Sequence, residues 1–474
     1  MGQEISHSHF SAEDFEMFSE RLREETHLLQ QWFKEQYFNE RPYQAGFELE
    51  AWLLDDHLQP AAKNHHFLEK LQHDMVVPEL ARFNFELNGH HQDLGTNVFS
   101  RMFEELQDTW KQCNEVASKL GINVSTIGTL PTARLDDFVL HNMSSLQRYR
   151  ALNEQVLRMR QGRPLEFHID GHQQLDFSHP DVMLEAATTS FQIHLRMPLK
   201  KSVRLYNAAK IISAPITAIS ANSPYFLGRD LWAESRVPVF EQSVQVGQSD
   251  LTKRVSFGIR YAHESIMEIF ESNLARYPIM LPRVVDEPLD KLAHLRLHNG
   301  TIWRWNRPLI GFDEDGMPHL RLEHRCVPAG PTLRDSIANA AFFYGLVIAM
   351  AEQHCPPEQQ LSFEQAHANF YQSARYGMNA EVTWLDNNPV KVNRLLAEQL
   401  LPMARKSLLK HHLAEEEVDY WLGIIEERIS NGQTGAVWQR GWVQQHGNDM
   451  HRLMEAYQQR QQSGMPVHQW NFDA

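Results

Sequence analysis

The sequence predicts an α+β fold, with an antiparallel or mixed sheet that carries its helices on one side. Four short segments alternate apolar and polar residues, as strands with one buried face do. The stretches between them show the 3.6-residue apolar spacing of helices. A doubly wound parallel sheet would require continuously apolar strands, and the chain also lacks both standard glycine-rich phosphate loops.

The predicted helices form long connections between the strands. Residues 11–38 carry Phe18, Leu22 and Leu29 on one face among many charges, which indicates an outer amphipathic helix. After residue 361 the pattern is helical and charged, and it predicts no strand. Further helices are predicted over residues 97–120, 142–160, 199–221 and 332–353.

The four alternating segments are GFELEAWLL (46–54), ARFNFELN (81–88), TSFQIHLRMP (189–198) and HLRLEHRCV (319–327). Each places mostly apolar side chains on one face, because successive side chains of a strand point to opposite sides. The opposite faces carry Glu48, Glu50 and Trp52; Asn84, Glu86 and Asn88; Ser190, Gln192, His194 and Arg196; and His319, Arg321, Glu323 and Arg325.

For any single segment, a polar strand face is most simply a surface in contact with water. The residue types on these four faces favour an active site over a solvent-facing surface. Solvent-facing strands usually mix Lys, Thr, Ser and Glu, whereas these faces hold no lysine and are rich in Glu, Gln, His, Asn and Arg. We therefore expect the polar side of the sheet to be the floor of an active site.

The acidic residues of these faces predict a divalent cation. Glu48 and Glu50 are two residues apart on one strand, hence about 7 Å apart, and Glu86 and Glu323 can join them if the strands pair. Such carboxylates repel one another, and oxygen-rich clusters suit Mg²⁺, which shares its remaining positions with nucleotide phosphates.

Arginines on the same faces can supply further positive charge. Arg196, Arg321 and Arg325 can hold phosphoryl oxygens or a substrate carboxylate through their forks of donors. Acids, a metal and arginines on one sheet face are the groups expected for phosphoryl transfer from ATP. Trp303 and Trp305 either wall the substrate pocket, for example by stacking on adenine, or pack in the core.

Composition excludes several other classes of protein. Acidic residues outnumber basic ones by 60 to 45, so a general affinity for nucleic acid or anionic lipid is not expected. Three scattered cysteines are too few for a disulfide framework or a zinc site. The N-terminal stretch lacks a signal-peptide pattern, and the most apolar windows are too short to span a membrane. We expect a soluble cytoplasmic protein, with its oligomeric state left open.

An ordered set of motifs resembles the glutamate–cysteine ligase type of carboxylate–amine ligase. The longest runs over residues 299–346, NGTIWRWNRPLIGFDEDGMPHLRLEHRCVPAGPTLRDSIANAAFFYGL. GFELE, TTSFQIHLRMP, NSPYFLGRDLWAESR, GQTGAVWQ and MPVHQW extend the resemblance over residues 42–470. The resemblance implies the fold of the glutamine synthetase catalytic domain, a curved, mostly antiparallel sheet with helices packed on its outer face.

The resemblance also implies roles for particular residues. Glu79 and Glu86 match a pair of family ligands seven residues apart, although an odd spacing would place them on opposite sides of one continuous strand unless a bulge or bend intervenes. The implied metal ligands are Glu48, Glu50, Glu79, Glu86, Gln192 and Glu323. The implied catalytic residues are Arg325 and Arg236, and the residues expected to bind ATP or the cation are Arg196, Arg321 and His194.

The function implied is an ATP- and Mg²⁺-dependent ligase, with Mn²⁺ as an alternative ion, that joins glutamate to an amine through an acyl phosphate. Cysteine is the first candidate for the amine. Another amine acceptor, a non-catalytic glutamate- or nucleotide-binding relative and a phosphagen-kinase-like activity remain open alternatives. We divide the chain into an N-terminal helix packed on the body (1–40), a catalytic domain (41–355) and a helical C-terminal region of the same body (356–474).

Overall fold

The four alternating segments all form strands of one sheet, as the sequence predicts. The computed structural model describes residues 9–247 and 253–473. Among these residues the sheet has eight strands in the order β11-β12-β8-β1-β3-β2, with the short strands β4 and β5 also paired to β1, and every pairing is antiparallel. The sheet strands are β1 (Gln44–Leu54), β2 (Val76–Pro78), β3 (Asn84–Asn88), β4 (Gln92–Asp93), β5 (Asn123–Ser125), β8 (Phe191–Met197), β11 (Asn306–Phe312) and β12 (Pro318–His324).

In the described part of the chain, three hairpins lie outside this sheet. They are β6 (Leu165–Asp170) with β7 (Gln174–His179), β9 (Tyr225–Phe226) with β10 (Arg229–Asp230), and β13 (Glu381–Thr383) with β14 (Pro389–Lys391). The last hairpin corrects the expectation that the chain after residue 361 contains only helices. Its strands have three residues each, which is too short for an alternating pattern to be recognised.

Five helices lie within five residues of their predicted bounds, but those at 64–71, 236–243, 267–276, 293–300 and 357–360 were not predicted. Sixteen α-helices occur among the described residues. They are α1 (Ala12–Glu35), α2 (Asn64–Leu71), α3 (Val98–Lys119), α4 (Gln147–Met159), α5 (Ser202–Ser220), α6 (Arg236–Ser243), α7 (Met267–Arg276), α8 (Ala293–Gly300), α9 (Leu333–Ala351), α10 (Pro357–Gln360), α11 (Phe363–Tyr376), α12 (Val392–Leu395), α13 (Leu401–Lys410), α14 (Glu415–Asn431), α15 (Gly435–His446) and α16 (Met450–Ser463). A π-helical segment (Leu396–Leu400) joins α12 to α13.

Local sequence explains where the two best-defined helices begin. Ser11 and Asp14 form a capping box at the start of α1, which satisfies backbone N–H groups that have no partner inside the helix. Thr332 does the same for α9 by accepting from the Asp335 N–H at 3.1 Å. The apolar face of α1 is buried, whereas α9 is buried almost all round.

The apolar face of the sheet is covered by the two most apolar helices, α5 and α9, and α11, α13 and α14 pack outside them. The Tyr344 hydroxyl of α9 accepts from the Gly46 N–H at 3.1 Å and lies 2.9 Å from the carbonyl oxygen of His194. This contact fixes α9 directly behind β1 and β8. The polar face of the sheet therefore remains available on the other side.

Buried apolar side chains form one large core that extends from Phe18 to Trp470. This core includes residues of all three predicted regions, and the proposed boundaries between them stay a prediction. Within residues 9–247 and 253–473, no helix is both long and apolar enough to cross a membrane.

Candidate active site

Strand pairing brings the predicted acidic residues to one face of the sheet. Glu50 lies opposite Glu86 across β1 and β3, and Glu48 lies opposite Gln192 across β1 and β8. The pairing of β12 with β8 then places Glu323 opposite His194. Residues that are separated by as many as 275 positions along the chain therefore meet in neighbouring rows of the sheet.

The first group, which we call the arginine-backed cluster, consists of Glu48, His194 and Glu323. Its ligand atoms lie within 4.8 Å of one another, and His194 Nε2 is 3.3 Å from Glu48 Oε1. Arg307 of β11 holds Glu323 with two parallel hydrogen bonds, Nε to Oε2 at 2.8 Å and Nη2 to Oε1 at 2.9 Å. Arg325 Nη1 approaches the same carboxylate at 3.3 Å.

These cations keep the carboxylates of the arginine-backed cluster ionised. Burial alone would raise the pKa of Glu323, but the charges of Arg307 and Arg325 outweigh it and lower the pKa to about 2. Burial is likewise outweighed at Glu48, where the charge and hydrogen bond of His194 and the charge of Arg321 hold the pKa well below its usual range. The cluster therefore carries negative charge at neutral pH.

The second group, which we call the carboxylate cluster, consists of Glu50, Glu79 and Glu86. All three side chains are buried, and their ligand atoms also lie within 4.8 Å of one another. Glu50 is oriented by three donors: the Ser190 N–H at 2.7 Å, the Ser190 hydroxyl at 3.0 Å and Gln192 Nε2 at 2.9 Å. Gln192 reaches the cluster through its amide nitrogen, while its Oε1 atom accepts from Arg325, and its implied role as a metal ligand stays a prediction.

The electrostatics of the carboxylate cluster are the opposite of those in the first group. Burial, followed by repulsion from Glu48 and Glu50, raises the pKa of Glu86 to about 7. Burial and the neighbouring carboxylates Glu86 and Glu50 raise the pKa of Glu79 well above its usual value. Burial also raises the pKa of Glu50, in spite of the charge of Arg325. The positive charge around these three carboxylates is too small to keep all of them ionised together.

Of the two routes considered above for Glu79, a bulge or a bend, the structure shows a bend. The segment is not one continuous strand: β2 and β3 are antiparallel partners, with Val77 opposite Glu86, and residues 79–83 form the turn between them. A side chain that follows β2 directly can turn back toward β3, so the odd spacing no longer separates the two acids. The Tyr149 hydroxyl of α4 donates to Glu79 Oε2 at 3.4 Å and accepts from Arg148 at 2.9 Å.

The predicted arginines occupy four different positions. Arg325 lies between the clusters, because it contacts Glu323 and also donates to Gln192 Oε1. Arg236 is buried behind it and donates to the Arg325 carbonyl oxygen at 2.9 Å. Arg321 lines the cavity beside Glu48.

Arg196 is not brought to either cluster. Both of its terminal nitrogens donate to the Asp313 carboxylate at 2.8 Å, in the turn between β11 and β12. It is the last of three polar-face residues on β8, after Gln192 and His194, and a strand of this length extends beyond the site. Its role in binding a nucleotide stays a prediction, and this ion pair does not favour it.

A cavity of about 350 Å³ opens beside the arginine-backed cluster. Its charged side includes Glu48 and Glu323 with four arginines, Arg148, Arg296, Arg307 and Arg321. Its other walls are largely apolar and include Phe270, Leu281, Leu295, Leu297, Trp303 and Ile310. Trp303 is therefore one of the wall residues of the cavity.

Trp305 does not share this position. It is fully buried between Phe240 and Phe370, and its indole N–H donates to Glu241 Oε1 at 2.8 Å. The sequence left open whether these tryptophans wall the pocket or pack in the core. Trp303 lines the cavity, and Trp305 packs in the core.

The sequence did not single out several residues of the site. Arg307 could have been found, because a hairpin centred on the turn at 313–316 places it opposite Glu323. The other residues lie on helical segments, whose residue pattern does not indicate which strands they pack against. They are Arg148, Tyr149 and Glu185. Burial and the charge of Glu50 raise the pKa of Glu185 to about 8, which places this carboxylate in the electrostatic field of the carboxylate cluster.

Both clusters fit a divalent cation. Carboxylate oxygens, with one imidazole in the arginine-backed cluster, are donors that Mg²⁺ and Mn²⁺ accept. In the carboxylate cluster the fit is supported by the raised pKa values, because a cation would supply the charge that the surrounding side chains do not. The role of each predicted ligand remains a proposal.

Comparisons with known proteins identify the family of this chain. The model of glutamate–cysteine ligase family 2 matches residues 44–456. Among solved structures, a glutamate–cysteine ligase from Francisella tularensis in complex with AMP is similar in fold, with a TM-score of 0.60, 11% identity and coverage of 92% of this chain and 91% of that one. A bifunctional glutathione synthetase from Pasteurella multocida aligns with a TM-score of 0.48 and 9% identity over 93% of this chain and 55% of its own. No curated protein matches the sequence.

The curled antiparallel sheet and the family match together define an ATP-dependent carboxylate–amine ligase, which takes ATP and an amino acid as small-molecule substrates. The chain belongs to glutamate–cysteine ligase family 2, whose model covers most of its length. The predicted fold class and the predicted enzyme class are thereby confirmed.

Proposed function

We propose that this ligase activates the γ-carboxylate of glutamate as an acyl phosphate and joins it to an amine, with cysteine as the first candidate. The observation that carries the proposal is the pair of acidic clusters on one sheet face, with Arg325 between them. Such an arrangement offers a place for the phosphates of ATP on one side, for an amine on the other, and for the transferred phosphoryl group in the middle.

The nucleotide would occupy the cavity beside the arginine-backed cluster. Its apolar walls, including Phe270 and Trp303, suit a purine base, and Arg321 and Arg148 can hold phosphate oxygens. Arg307 is already committed to Glu323 through two hydrogen bonds, so it fixes the carboxylate rather than the nucleotide.

Divalent cations, most simply Mg²⁺, would be held by Glu48, His194 and Glu323 in one cluster and by Glu50, Glu79 and Glu86 in the other. When bound, they would supply the charge that neutralises phosphate oxygens during transfer. The chain contributes the geometry: Arg307 and Gln192 orient two of the carboxylates, one in each cluster.

Arg325 is the residue best placed to stabilise the transferred phosphoryl group. Its side chain is 4% exposed and is held by Glu323 and Gln192. A guanidinium that is already oriented in a water-poor site needs little reorganisation when negative charge develops. The same burial helps to keep an acyl phosphate from hydrolysis.

The amine would approach on the side of the carboxylate cluster. Glu185 and Glu79 lie on this side with raised pKa values, so they are largely protonated on their own, and the positive charge of a substrate ammonium group would favour their ionised forms. Burial and the charge of Glu50 raise the pKa of Glu185 to about 8, so its ionised form is basic enough to accept the proton that is released when the amine attacks. Neither property selects cysteine over other amines, so the acceptor must be identified by experiment.

The test is a phosphate-release screen with ATP, Mg²⁺ and glutamate against single amines, followed by mass analysis of the product. The proposal expects phosphate release that depends on both glutamate and an amine, with a γ-glutamyl amide formed in equal amount. Activity with a different amine would change the acceptor only. A phosphorylated product without an amide would indicate kinase activity, and nucleotide binding without turnover would indicate a non-catalytic relative; either result would refute the proposal.

A further inference from the structure

Glu25 is a buried carboxylate on the N-terminal helix α1, where it is only 1% exposed. Its Oε1 atom is 2.6 Å from His294 Nδ1, and its Oε2 atom accepts from the Leu295 N–H at 2.7 Å. Both partners belong to α8, which lies more than 250 residues away in the sequence. Burial of a carboxylate costs desolvation energy, which the two hydrogen bonds offset. These contacts show which groups Glu25 holds in place.

Helix α8 cannot cap its own N-terminus. The residue at its N-cap is Leu292, which has no side-chain acceptor and adopts a left-handed backbone conformation with φ of 49°. The first N–H groups of a helix have no partners inside it, and they attract negative charge. Glu25 supplies the missing acceptor from a different element of the fold.

The same carboxylate also holds a second segment of backbone. His294 Nε2 accepts from the Val285 N–H at 3.2 Å, so the proton of the neutral ring is on Nδ1, where it is donated to Glu25. Glu25 thus fixes the orientation of the His294 ring, and this ring holds the chain segment before α8 at Val285. Two separate segments depend on one side chain of α1.

Both segments form walls of the cavity. Leu281 lies at the start of the segment anchored at Val285, and Leu295 is on α8. At the other end of α8, the carbonyl oxygens of Asn299 and Gly300 accept from Arg307 Nη1 at 3.4 and 3.2 Å. Since Arg307 holds Glu323, the start of α8 is linked through the helix to the arginine-backed cluster.

We propose that Glu25 is a positioning residue for nucleotide binding: by capping α8 and orienting His294, the N-terminal helix sets the shape of the cavity wall. The inference rests on the proposed function, because it assigns the cavity to the nucleotide. It gives α1 a role in ATP affinity, in addition to its packing on the body.

The first test is Glu25→Gln, which keeps the shape of the side chain but replaces one acceptor oxygen by an NH₂ group. That group faces a donor, so one of the two contacts with α8 must be lost. We expect the KM for ATP and the Kd for Mg·ADP to rise by roughly tenfold, the size of effect seen for supporting residues of binding sites, while the KM for glutamate changes less than about twofold.

The matched control is Asp335→Asn. Asp335 is also a fully buried carboxylate that accepts a backbone N–H, from Val467 at 3.0 Å, and contacts a cation, Arg428 at 2.8 Å, but it does not line the cavity. This variant should lose stability and keep both KM values. Equal changes of both KM values in Glu25→Gln, or an unchanged KM for ATP, would overturn the proposal.

A second test uses the unaltered protein, in case Glu25→Gln does not fold. Hydrogen–deuterium exchange with and without Mg·ADP should show added protection in residues 281–300 and in α1 around Glu25, and none in α14. Protection of 281–300 without any change in α1 would refute the positioning role. If wild-type protein binds Mg·ADP with these effects but forms no amide, the proposed function fails and the role of Glu25 stands; if Mg·ADP does not bind, both fail.

Discussion

The arginine-backed cluster and the carboxylate cluster contain the same kind of residue on the same sheet face, yet they hold charge in opposite ways. Arg307 of β11 and Arg325, which follows β12, contact Glu323 and lower its pKa to about 2. The acids of β1, β3 and the β2–β3 turn mainly face one another, and burial with mutual repulsion raises the pKa of Glu86 to about 7.

This difference shows that the neighbouring strands determine the pKa of a glutamate on a polar strand face. The arginine-backed cluster is ionised before any ligand arrives, and its carboxylates are held in fixed orientations by donors. The carboxylate cluster carries its full negative charge only when a cation reduces the repulsion, and without a cation bound protons neutralise part of that charge. Changes in the two clusters should therefore affect stability with opposite signs.

The largest expected effect is on folding, and it comes from Glu323→Gln. This change leaves the buried guanidinium of Arg307 without its carboxylate partner, which typically costs about 3–5 kcal/mol. We expect the free energy of unfolding to fall by this amount in urea titrations of the metal-free protein. A loss below about 1 kcal/mol would show that the arginines do not depend on the carboxylate, and would contradict the comparison.

The next effect is on catalysis, and it comes from Glu48→Gln. Glu48 is the more exposed carboxylate of the arginine-backed cluster, so its neutralisation should leave the fold intact by circular dichroism. Loss of a charged ligand for the cation should slow ATP-dependent phosphate release by about 10²–10³-fold, or about 3–4 kcal/mol. Turnover equal to that of a surface control such as Glu416→Gln, an exposed residue of α14, would remove Glu48 from the metal site.

The smallest effect, of the opposite sign, is expected for Glu86→Gln in the carboxylate cluster. An unfolded glutamate loses its proton near pH 4.5, whereas burial and the charge of Glu48 hold the pKa of folded Glu86 at about 7. Between these values the folded state binds more protons, so the stability of the metal-free wild type falls as pH rises. The glutamine variant lacks this dependence.

We therefore expect metal-free Glu86→Gln to be more stable than wild type by about 1–3 kcal/mol above pH 7, with the difference disappearing below pH 4.5. Chemical denaturation in the presence of EDTA at several pH values measures this directly. A variant that is less stable than wild type at pH 8 would show that the carboxylate cluster is not under electrostatic strain.

The sequence predicted most of the sheet because four of its strands have one apolar and one polar face. It did not predict β11, whose run RPLIG contains a proline and a glycine that weaken a strand pattern. Pro308 is tolerated there because β11 is the edge strand of the sheet. The three-residue strands β13 and β14 are defined by their turn, and alternation carries little information over such a length.

The candidate site was predictable to the extent that it lies on strands. Glu48, Glu50, Glu86 and Glu323 follow from alternation, since the polar faces of neighbouring antiparallel strands must coincide in a shared sheet. Glu79 required the family resemblance, because its position depends on a turn. The residues on helical segments, such as Arg148 and Glu185, depend on how those segments fold over the sheet, which no local pattern encodes.

The central claim is that ATP activates the carboxylate of glutamate as an acyl phosphate at the clusters described above. Isotope transfer tests it most directly: glutamate labelled with ¹⁸O in its γ-carboxylate is incubated with ATP, Mg²⁺ and the amine found in the screen, and the inorganic phosphate is analysed by mass. The proposed reaction transfers one ¹⁸O atom to phosphate for each amide formed. Amide formation with unlabelled phosphate, or with the label in AMP, would contradict the account.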